Sequence, residues 1–288
     1  MARRAKMKKL LAMLVLSGTF LTGCINTVER PPQLRVTNDV YEWNYDRSTA
    51  LNIIEGVVDD HKMFDAERPK GKSFSQTAAG QNLNDALGLM VFGMPGLFLN
   101  DNSSQWIRPR YIWLEEKTTQ LPPKTYDNVI KLFIDKLDIS LSHVDGLNIK
   151  SYTISNVYYD HTDATLISFE GEVCEKSGRA FDLSKVPKER TKKLWIGPKA
   201  QSGLACSVST HIGKLNIIRK DGKEYWAYNV HLNFGNKPIR HALFDSARYF
   251  DGYAAFPAEF TVLDNGEPSF PVIFEGEKIH YFITPELP

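Results

Sequence analysis

The chain has 288 residues, of which 42% are hydrophobic and 24% are charged. This balance excludes an intrinsically disordered chain, a collagen-like repeat and a polytopic membrane protein. The 35 basic and 34 acidic side chains give a net charge of +1, whereas a nucleic-acid-binding protein carries a clustered basic excess. We therefore expect a globular protein that has no nucleic acid partner.

The first 23 residues differ from the rest of the chain. Five basic residues and no acidic residue precede a short apolar run, Leu10 to Phe20, and this run leads into Leu21-Thr22-Gly23-Cys24. Such a three-part layout is typical of a secretory signal peptide. Because the apolar run is about half of the ~20 residues that a membrane-spanning helix needs, we predict a cleaved leader.

The segment Leu21-Thr22-Gly23-Cys24 resembles the lipobox of bacterial lipoproteins. The resemblance implies cleavage before Cys24, a diacylglyceryl group on its thiol and a further acyl chain, such as palmitate, on its amine. Ile25 follows in place of the aspartate that retains such lipoproteins in the inner membrane, which implies an outer-membrane anchor. The resemblance covers the leader alone, and the alternative is an ordinary signal peptide with an incidental cysteine.

The two remaining cysteines, Cys174 and Cys206, form a possible pair once Cys24 is assigned to lipid. An exported protein meets an oxidising compartment, so we predict a disulfide between them. Closing a loop of this length stabilises the fold by about 3 to 4 kcal/mol in the chain-entropy model. The alternative is two buried free thiols.

The mature chain divides into three parts by composition. Residues 24–36 contain Pro31-Pro32 and few core-forming side chains, and we interpret them as a lipidated tether. Residues 37–146 have mostly helical patterns, and residues 147–288 have mostly strand patterns. The predicted fold class is α+β, with a helix-richer part followed by a mainly antiparallel β part; the two parts form either one domain or two.

The predicted elements follow from periodicity and capping residues. In the helix-richer part they are a helix from Ser48 or Thr49 to about Met63, a helix starting near Gln76, a strand over Tyr111–Leu114, and a helix with the face Tyr126, Val129, Ile130, Phe133 and Leu137. In the β-rich part they are strands over Ser151–Tyr159, Ala164–Cys174, Phe260–Leu263, Val272–Phe274 and Ile279–Ile283, and a short helix within Pro238–Phe250.

The segment from Ala86 to Leu99 carries no charged or hydrogen-bonding side chain. It is too short to span a bilayer, and a run of this length is more often a buried core segment. The alternative is a loop that contacts a membrane or a partner through Phe92 and Phe98.

Asp221-Gly222 predicts a two-residue type I′ turn between two strands. Continued along both strands, this register pairs Ile217 with Trp226 and His211 with Leu232, so that apolar residues share one face. The same register places His211 and His231 on opposite faces, which disfavours a metal site that uses both.

The motifs that announce a hydrolase, a zinc protease or a nucleotide-binding enzyme do not occur in the sequence. Ser207, Ser209 and His211 alternate along a possible strand and could share one face, but successive side chains there lie ~6 to 7 Å apart, too far for a direct serine-to-imidazole hydrogen bond. The cluster Asp160-His161-Thr162-Asp163 is more typical of a polar turn than of a metal site. We therefore expect no catalytic site, no bound metal and no cofactor.

Two further segments have both a structural and a functional interpretation. A basic run that includes Lys192 and Lys193 is typical of solvated surface, and the alternative is contact with anionic envelope material. Tyr41, Trp43 and Tyr45 alternate at the spacing of a strand; they either pack on one sheet face or form an exposed aromatic platform.

Together these patterns predict an outer-membrane lipoprotein, anchored through Cys24, whose periplasmic body binds an envelope protein partner or has a structural role in an envelope assembly. One alternative is an anchored periplasmic hydrolase of cell-wall or glycan material, with Asp160, His161 and Asp163 as its site. Another is a bilayer-active protein that uses residues 86–99.

Overall fold

A mixed, mainly antiparallel sheet organises the part of the chain that the computed structural model describes, namely residues 33–58, 64–65, 109–122, 124–155, 164–176, 181–182, 204–233, 237–256 and 271–285. These residues belong to one compact unit that begins at Pro32. Helices pack on both faces of the sheet. The predicted α+β class with a β-rich C-terminal part is confirmed.

The strands and helices within the described ranges are numbered here in chain order. The strands are β1 Val36–Glu42, β2 Arg110–Glu116, β3 Asn148–Ser155, β4 Ala164–Glu170, β5 Phe181–Asp182, β6 Leu204–Ile212, β7 Leu215–Lys220, β8 Lys223–Asn233, β9 Tyr253–Phe256, β10 Val272–Glu275 and β11 Lys278–His280. The helices are α1 Thr49–Val57, α2 Tyr126–Leu141, α3 Glu172–Lys176 and α4 Lys237–Ser246, and a 3-10 turn over Ala247–Tyr249 follows α4.

Strand β8 is central to the sheet. The main path runs β11-β10-β9-β2-β8-β6-β4-β3. On the edge of β8 opposite β2, the first half pairs with β7 and the second half pairs with β6. Strand β1 adds to β7 in parallel. This parallel strand, which connects directly to the predicted tether, has no counterpart among the elements predicted from sequence.

Helix α1 begins where the sequence predicts it. The Ser48 hydroxyl accepts a hydrogen bond from the Leu51 N–H at 3.0 Å, which satisfies one of the free amides at the helix N-terminus. The helix ends at Val57 rather than near Met63, and Val58 is already extended. The prediction of its C-terminus was therefore too long.

Two asparagines of the sheet account for this early end. The Asn216 side chain donates to the Gly56 carbonyl at 2.8 Å, and the Asn229 side chain donates to the Val57 carbonyl at 3.1 Å. Carbonyls at a helix end need donors from outside the helix. The sheet supplies those donors, so the chain can leave the helix at Val58 without an unsatisfied carbonyl at these two positions.

The two faces of the sheet carry separate cores. On the α2 face, Tyr111 and Phe133 belong to a cluster that buries the predicted apolar face of α2. On the α1 face, Ile112 and Ile218 pack against α1. Because neighbouring residues of a strand point to opposite faces, Tyr111 and Ile112 contribute to different cores.

The turn predicted at Asp221-Gly222 is present. Both residues have positive φ, 52° and 74°, as a type I′ turn requires. The predicted pairing of Ile217 with Trp226 is confirmed.

The same register is wrong beyond Gly213. Ile212 faces Val230, and Asn216 faces Ala227, so three residues on one side oppose two on the other, which is a β-bulge. The Gly213 N–H donates to the Asn229 carbonyl at 2.6 Å. A Cβ on Gly213 would lie 2.6 Å from the Asn229 side-chain nitrogen, so any other residue here would force the Asn229 side chain to move.

The strand predicted over Ala164–Cys174 is also shorter than expected. It ends at Glu170, because Gly171 has a φ of +114° and lies so close to Gly146 that an added Cβ would be 2.4 Å from the Gly146 carbonyl oxygen. The chain then forms α3, which contains Cys174.

Several predicted elements lie outside the described residues. They are the helix near Gln76, the apolar segment Ala86–Leu99 and the strand Phe260–Leu263. The helix predicted within Pro238–Phe250 is present as α4 and its 3-10 turn. In the described part of the chain, every helix is too short or too polar to cross a membrane.

Candidate functional site

Most of the residues that the sequence singles out for function lie outside the described residues, so the structure does not test them. They are Cys24, Phe92, Phe98, Asp160, His161, Asp163, Lys192 and Lys193. The described residues include Cys174, Cys206, the three alternating aromatic residues and the Ser207–His211 segment.

The structure pairs Cys174 with Cys206 in a disulfide, with a Cα to Cα distance of 5.5 Å. Both residues are buried in the core of the α2 face. Cys174 lies on α3, and Cys206 lies on β6, where it pairs with Phe169 of β4. The disulfide therefore links α3 to the sheet. The predicted pairing is present, and its burial assigns it a structural role.

The alternating aromatic residues do not form an exposed platform. The Tyr41 hydroxyl donates to the Glu55 carboxylate at 2.7 Å, and burial together with this carboxylate raises the pKa of Tyr41. Trp43 packs against the core of the α1 face, beneath the Lys220 ammonium. Tyr45 is exposed, but its hydroxyl donates to Asp221 at 2.6 Å. Tyr41 and Trp43 therefore pack on the sheet, whereas Tyr45 lies on the surface against the hairpin turn.

Three basic side chains form a row across three adjacent strands. Arg110 of β2 faces His231 of β8, and His231 faces His211 of β6. Residues that face each other in an antiparallel pair have Cβ atoms ~4.5 to 5.5 Å apart and project to the same side. All three therefore belong to the α1 face, where Arg110 alternates with the buried Ile112. We call Arg110, His231 and His211 the basic row.

The two histidines of the basic row are in ring contact. Their imidazoles are stacked, with centroids 5.3 Å apart and an interplanar angle of 24°. The prediction that His211 and His231 lie on opposite faces is wrong, because the bulge at Gly213 shifts the pairing by one residue. A one-residue slip moves every side chain beyond it to the other face.

Serine hydroxyls continue the polar surface beside the basic row. Ser207 and Ser209 lie on the same face of β6 as His211, as predicted from their alternation. The Ser207 hydroxyl is 3.3 Å from the hydroxyl of Ser168 on β4. Ser207, Ser209 and both histidines are half-buried, so this polar surface differs from the fully buried residues beneath α1.

Asn229 joins the basic row to the end of α1. It lies two residues before His231 on β8, and 1% of its surface is exposed. Its side-chain nitrogen binds the Val57 carbonyl, whereas its side-chain oxygen is buried and accepts no hydrogen bond from a described residue. A buried amide oxygen without a donor costs free energy unless a water or a ligand supplies one.

The permanent positive charge of Arg110 favours anions over metal cations at this surface. Arginine stays protonated in proteins and presents donors suited to carboxylates and phosphates. Among the described residues, no group of three or more His, Cys, Asp or Glu side chains is placed to hold a metal ion. Arg110 was missed at the sequence level because only the β2–β8 pairing places it beside His231.

A different histidine environment occurs at the far end of the α1 face. Buried His280 on β11 contacts the Glu275 carboxylate at 2.7 Å. The hydrogen bond from His280, and further contacts with Tyr253 and Lys278, lower the pKa of Glu275 to about 2, although burial opposes the shift. This histidine is bound to a carboxylate of the neighbouring strand, so we assign the pair to edge stability.

Known proteins provide no template for this surface. Scans against models of protein families, curated proteins and solved structures each found no match to the chain. The chemistry of the basic row and its neighbours is therefore the basis for interpreting the site.

Proposed function

We propose that the protein is an outer-membrane lipoprotein whose body, held in the periplasm by lipid on Cys24, acts by binding within an envelope assembly. The observation that carries this proposal is the order of features in the leader: a basic start, a short apolar run and Leu21-Thr22-Gly23-Cys24. One acyl chain holds a protein on a bilayer only reversibly, whereas two or more hold it stably. Lipid on both the thiol and the amine of Cys24 would therefore make the anchor lasting.

The disulfide supports export independently of the leader. Disulfides persist in oxidising compartments such as the periplasm and are rare in the cytosol. The Cys174–Cys206 bond closes a 32-residue separation within the core, and a loop of this size corresponds to about 3 to 4 kcal/mol of stability in the chain-entropy model. A chain that depends on this bond benefits from a compartment in which thiols are oxidised.

The charge of the mature part also fits an anchored binding protein. The whole chain carries +1, and removal of the five positive charges of the leader leaves a mildly acidic body. Such a body has no general attraction to anionic lipid or nucleic acid. Any interaction with the envelope would therefore be local, and the basic row is the surface that we assign to it.

Lipid labelling in a bacterial host tests the anchor. Cells that express the full chain are fed a clickable palmitate analogue, and membranes are separated by density. Wild-type protein should be labelled and found with the outer membrane, whereas Cys24→Ala should lose both properties. Ser17→Ala, within the apolar run, is the matched control and should behave as wild type. Unlabelled wild-type protein that retains Met1 would contradict the proposal.

Crosslinking in intact cells tests the binding role. A photoreactive residue placed at Ser209, beside the basic row, should capture one discrete envelope component. The same residue placed at Ile139, which is 63% exposed on α2, is the control and should not capture that component. Equal capture from both positions would argue against binding at this surface.

A further inference from the structure

One edge of strand β1 has no neighbouring strand in the described part of the chain. The opposite edge pairs in parallel with β7. There the Leu215 N–H donates to the Arg35 carbonyl at 2.7 Å, and the Trp43 N–H donates to the Arg219 carbonyl at 2.9 Å. The backbone groups of successive strand residues alternate between the two edges. Because the odd-numbered Arg35 and Trp43 bond to β7, the even-numbered residues between them direct their N–H and C=O groups away from it.

The β1 edge, as we call this outward backbone, belongs to Val36, Asn38, Val40 and Glu42. The pairing of β1 with β7 shifts between Val36 and Val40, where four steps along β1 match two steps along β7. Two extra residues leave the alternation unchanged, and within this part the Asp39 N–H donates to the Thr37 hydroxyl at 3.1 Å. The strand therefore keeps one continuous outward row of donors and acceptors.

The β1 edge is open to solvent. Val36 is 43% exposed, and Asn38 and Glu42 are exposed as well. In the described part of the chain, the outward backbone groups make no hydrogen bond. Exposed donors and acceptors of this kind are a template for pairing with another strand. Addition of a strand to a free sheet edge is also a recurrent mode of protein recognition, so the β1 edge is suited to bind an extended segment.

The residue pattern of β1 fits a second copy of itself. When two copies lie antiparallel about Asn38, Val36 of each copy faces Val40 of the other, and β-branched pairs of this kind stabilise neighbouring strands. In the same register Thr37 faces Asp39. A shift by one pair of residues separates the valines, and in one direction it places the two Asp39 carboxylates opposite each other. Like charges in that position are destabilising, so the pattern selects a single register.

We propose that the β1 edge is an interface between two copies of this chain, which join antiparallel about Asn38 and continue the sheet from one copy to the other. Facing residues then exchange backbone hydrogen bonds in pairs. Because the contact is short, we expect a reversible dimer rather than an obligate one. The inference concerns the folded body and does not require lipid on Cys24. A monomeric body would leave the proposed anchor standing, and an unlabelled Cys24 would leave the dimer standing.

Cysteine crosslinking of the purified full chain tests the interface and its register. Facing residues of a hydrogen-bonded pair have Cα atoms ~5.5 Å apart, which a disulfide can span, so Asn38→Cys should form a covalent dimer on mild oxidation. Val36→Cys should not, because its two copies would lie ~13 Å apart along the strands, whereas Val36→Cys combined with Val40→Cys should. Asn148→Cys, at the exposed start of edge strand β3, is the matched control and should stay monomeric. The wild type controls for any reaction of Cys24.

Sedimentation equilibrium of the full chain in density-matched detergent measures the association itself. Val36→Lys should weaken the dimer about tenfold or more, because lysine on a strand edge opposes pairing. Asn38→Pro should weaken it by a similar factor, because proline removes an outward N–H. Ile139→Lys, at a position that is 63% exposed on α2, is the control and should associate as wild type does. Near-UV circular dichroism checks that each variant is folded.

The outcomes separate a second copy from any other occupant of the β1 edge. A dimer that crosslinks through position 38 and is weakened in folded Val36→Lys or Asn38→Pro supports the interface. A wild type of monomer mass at every concentration, or a dimer that both β1 variants leave intact, overturns it. If a photoreactive residue at Asn38 captures a different protein in intact cells and no second copy, the edge has another partner and the inference is wrong.

Discussion

The two halves of strand β8 differ although they belong to one continuous strand. From Lys223 to Ala227 the strand pairs with β7 through a two-residue turn, and from Val230 to Asn233 it pairs with β6 beyond a bulge. The first half carries the buried Trp226, and the second carries the half-buried His231. The comparison shows that turn chemistry controls register for a few residues, and that the bulge then decides which side chains face α1.

Truncation of one aromatic residue in each half should produce the largest contrast. Trp226→Ala should lower the free energy of unfolding by about 3 to 5 kcal/mol, the usual loss for a fully buried large ring. His231→Ala should lower it by about 1 kcal/mol or less, because the ring is half-buried and stacks on His211. Urea denaturation measures both. Equal losses would mean that the two halves are packed alike.

Filling the bulge should have an intermediate effect. In Gly213→Ala the new methyl group would lie 2.6 Å from the Asn229 side-chain nitrogen and 3.3 Å from its carbonyl oxygen. The Asn229 amide must then move away from the Val57 carbonyl, and we expect a loss of about 1 to 3 kcal/mol. Gly222→Asn is the control for the hairpin half: nothing lies within 4 Å of that position, and asparagine tolerates positive φ. If Gly213→Ala leaves the free energy of unfolding unchanged, the bulge does not depend on glycine.

The sheet edge offers a further comparison with the halves of β8. There, buried His280 contacts the Glu275 carboxylate. The pKa of Glu275 is lowered from 4.5 to about 2, so its contribution to stability is present above pH 4.5 and is lost as the pH falls towards 2. Since Glu275 is partly exposed, we expect about 1 to 2 kcal/mol. Glu275→Gln should therefore be less stable than wild type at neutral pH and equal to it near pH 2. His280→Asn should remove most of the same pH dependence, and a gap that persists at pH 2 would contradict the assignment.

Ion pairs at the hairpin tip should have the smallest effect. Arg219 contacts Glu42 and Glu224, but its side chain is 42% exposed. Exposed pairs contribute little because water and salt screen them. Arg219→Gln should leave the thermal midpoint unchanged within error at both low and high salt. A clear drop that disappears in salt would show that the tip needs these charges to hold its register.

Local patterns predicted the parts of the fold that depend on neighbours in sequence. The Ser48 cap and the apolar face of α2 were visible because capping and helical spacing act over a single turn or two. The Asp221-Gly222 turn was visible because only a few residue types accept two successive positive φ angles. The cysteine pair followed from counting, although its burial did not.

The candidate site could be predicted only in pieces. The sequence pattern places Ser207, Ser209 and His211 on one face of a strand, but it puts His231 on the wrong side and gives no signal for Arg110. The site needs the bulge at Gly213 and the pairing of β2 with β8, whose residues are more than a hundred positions apart in the chain. Neither the bulge nor the pairing of these two strands can be predicted from neighbouring residues in the sequence.

By itself the sequence determined the mixed class of the fold, the approximate starts of α1, α2 and α4, the tight turn of its central hairpin and the partner available to each cysteine of the body. Only the tertiary structure decided that β1 joins β7 in parallel, that two asparagines end α1, and that Arg110, His231 and His211 share one row. The physical reason is that register between distant strands is set by packing on both faces of the sheet at once. One inserted residue then exchanges which side chains meet the core and which meet solvent.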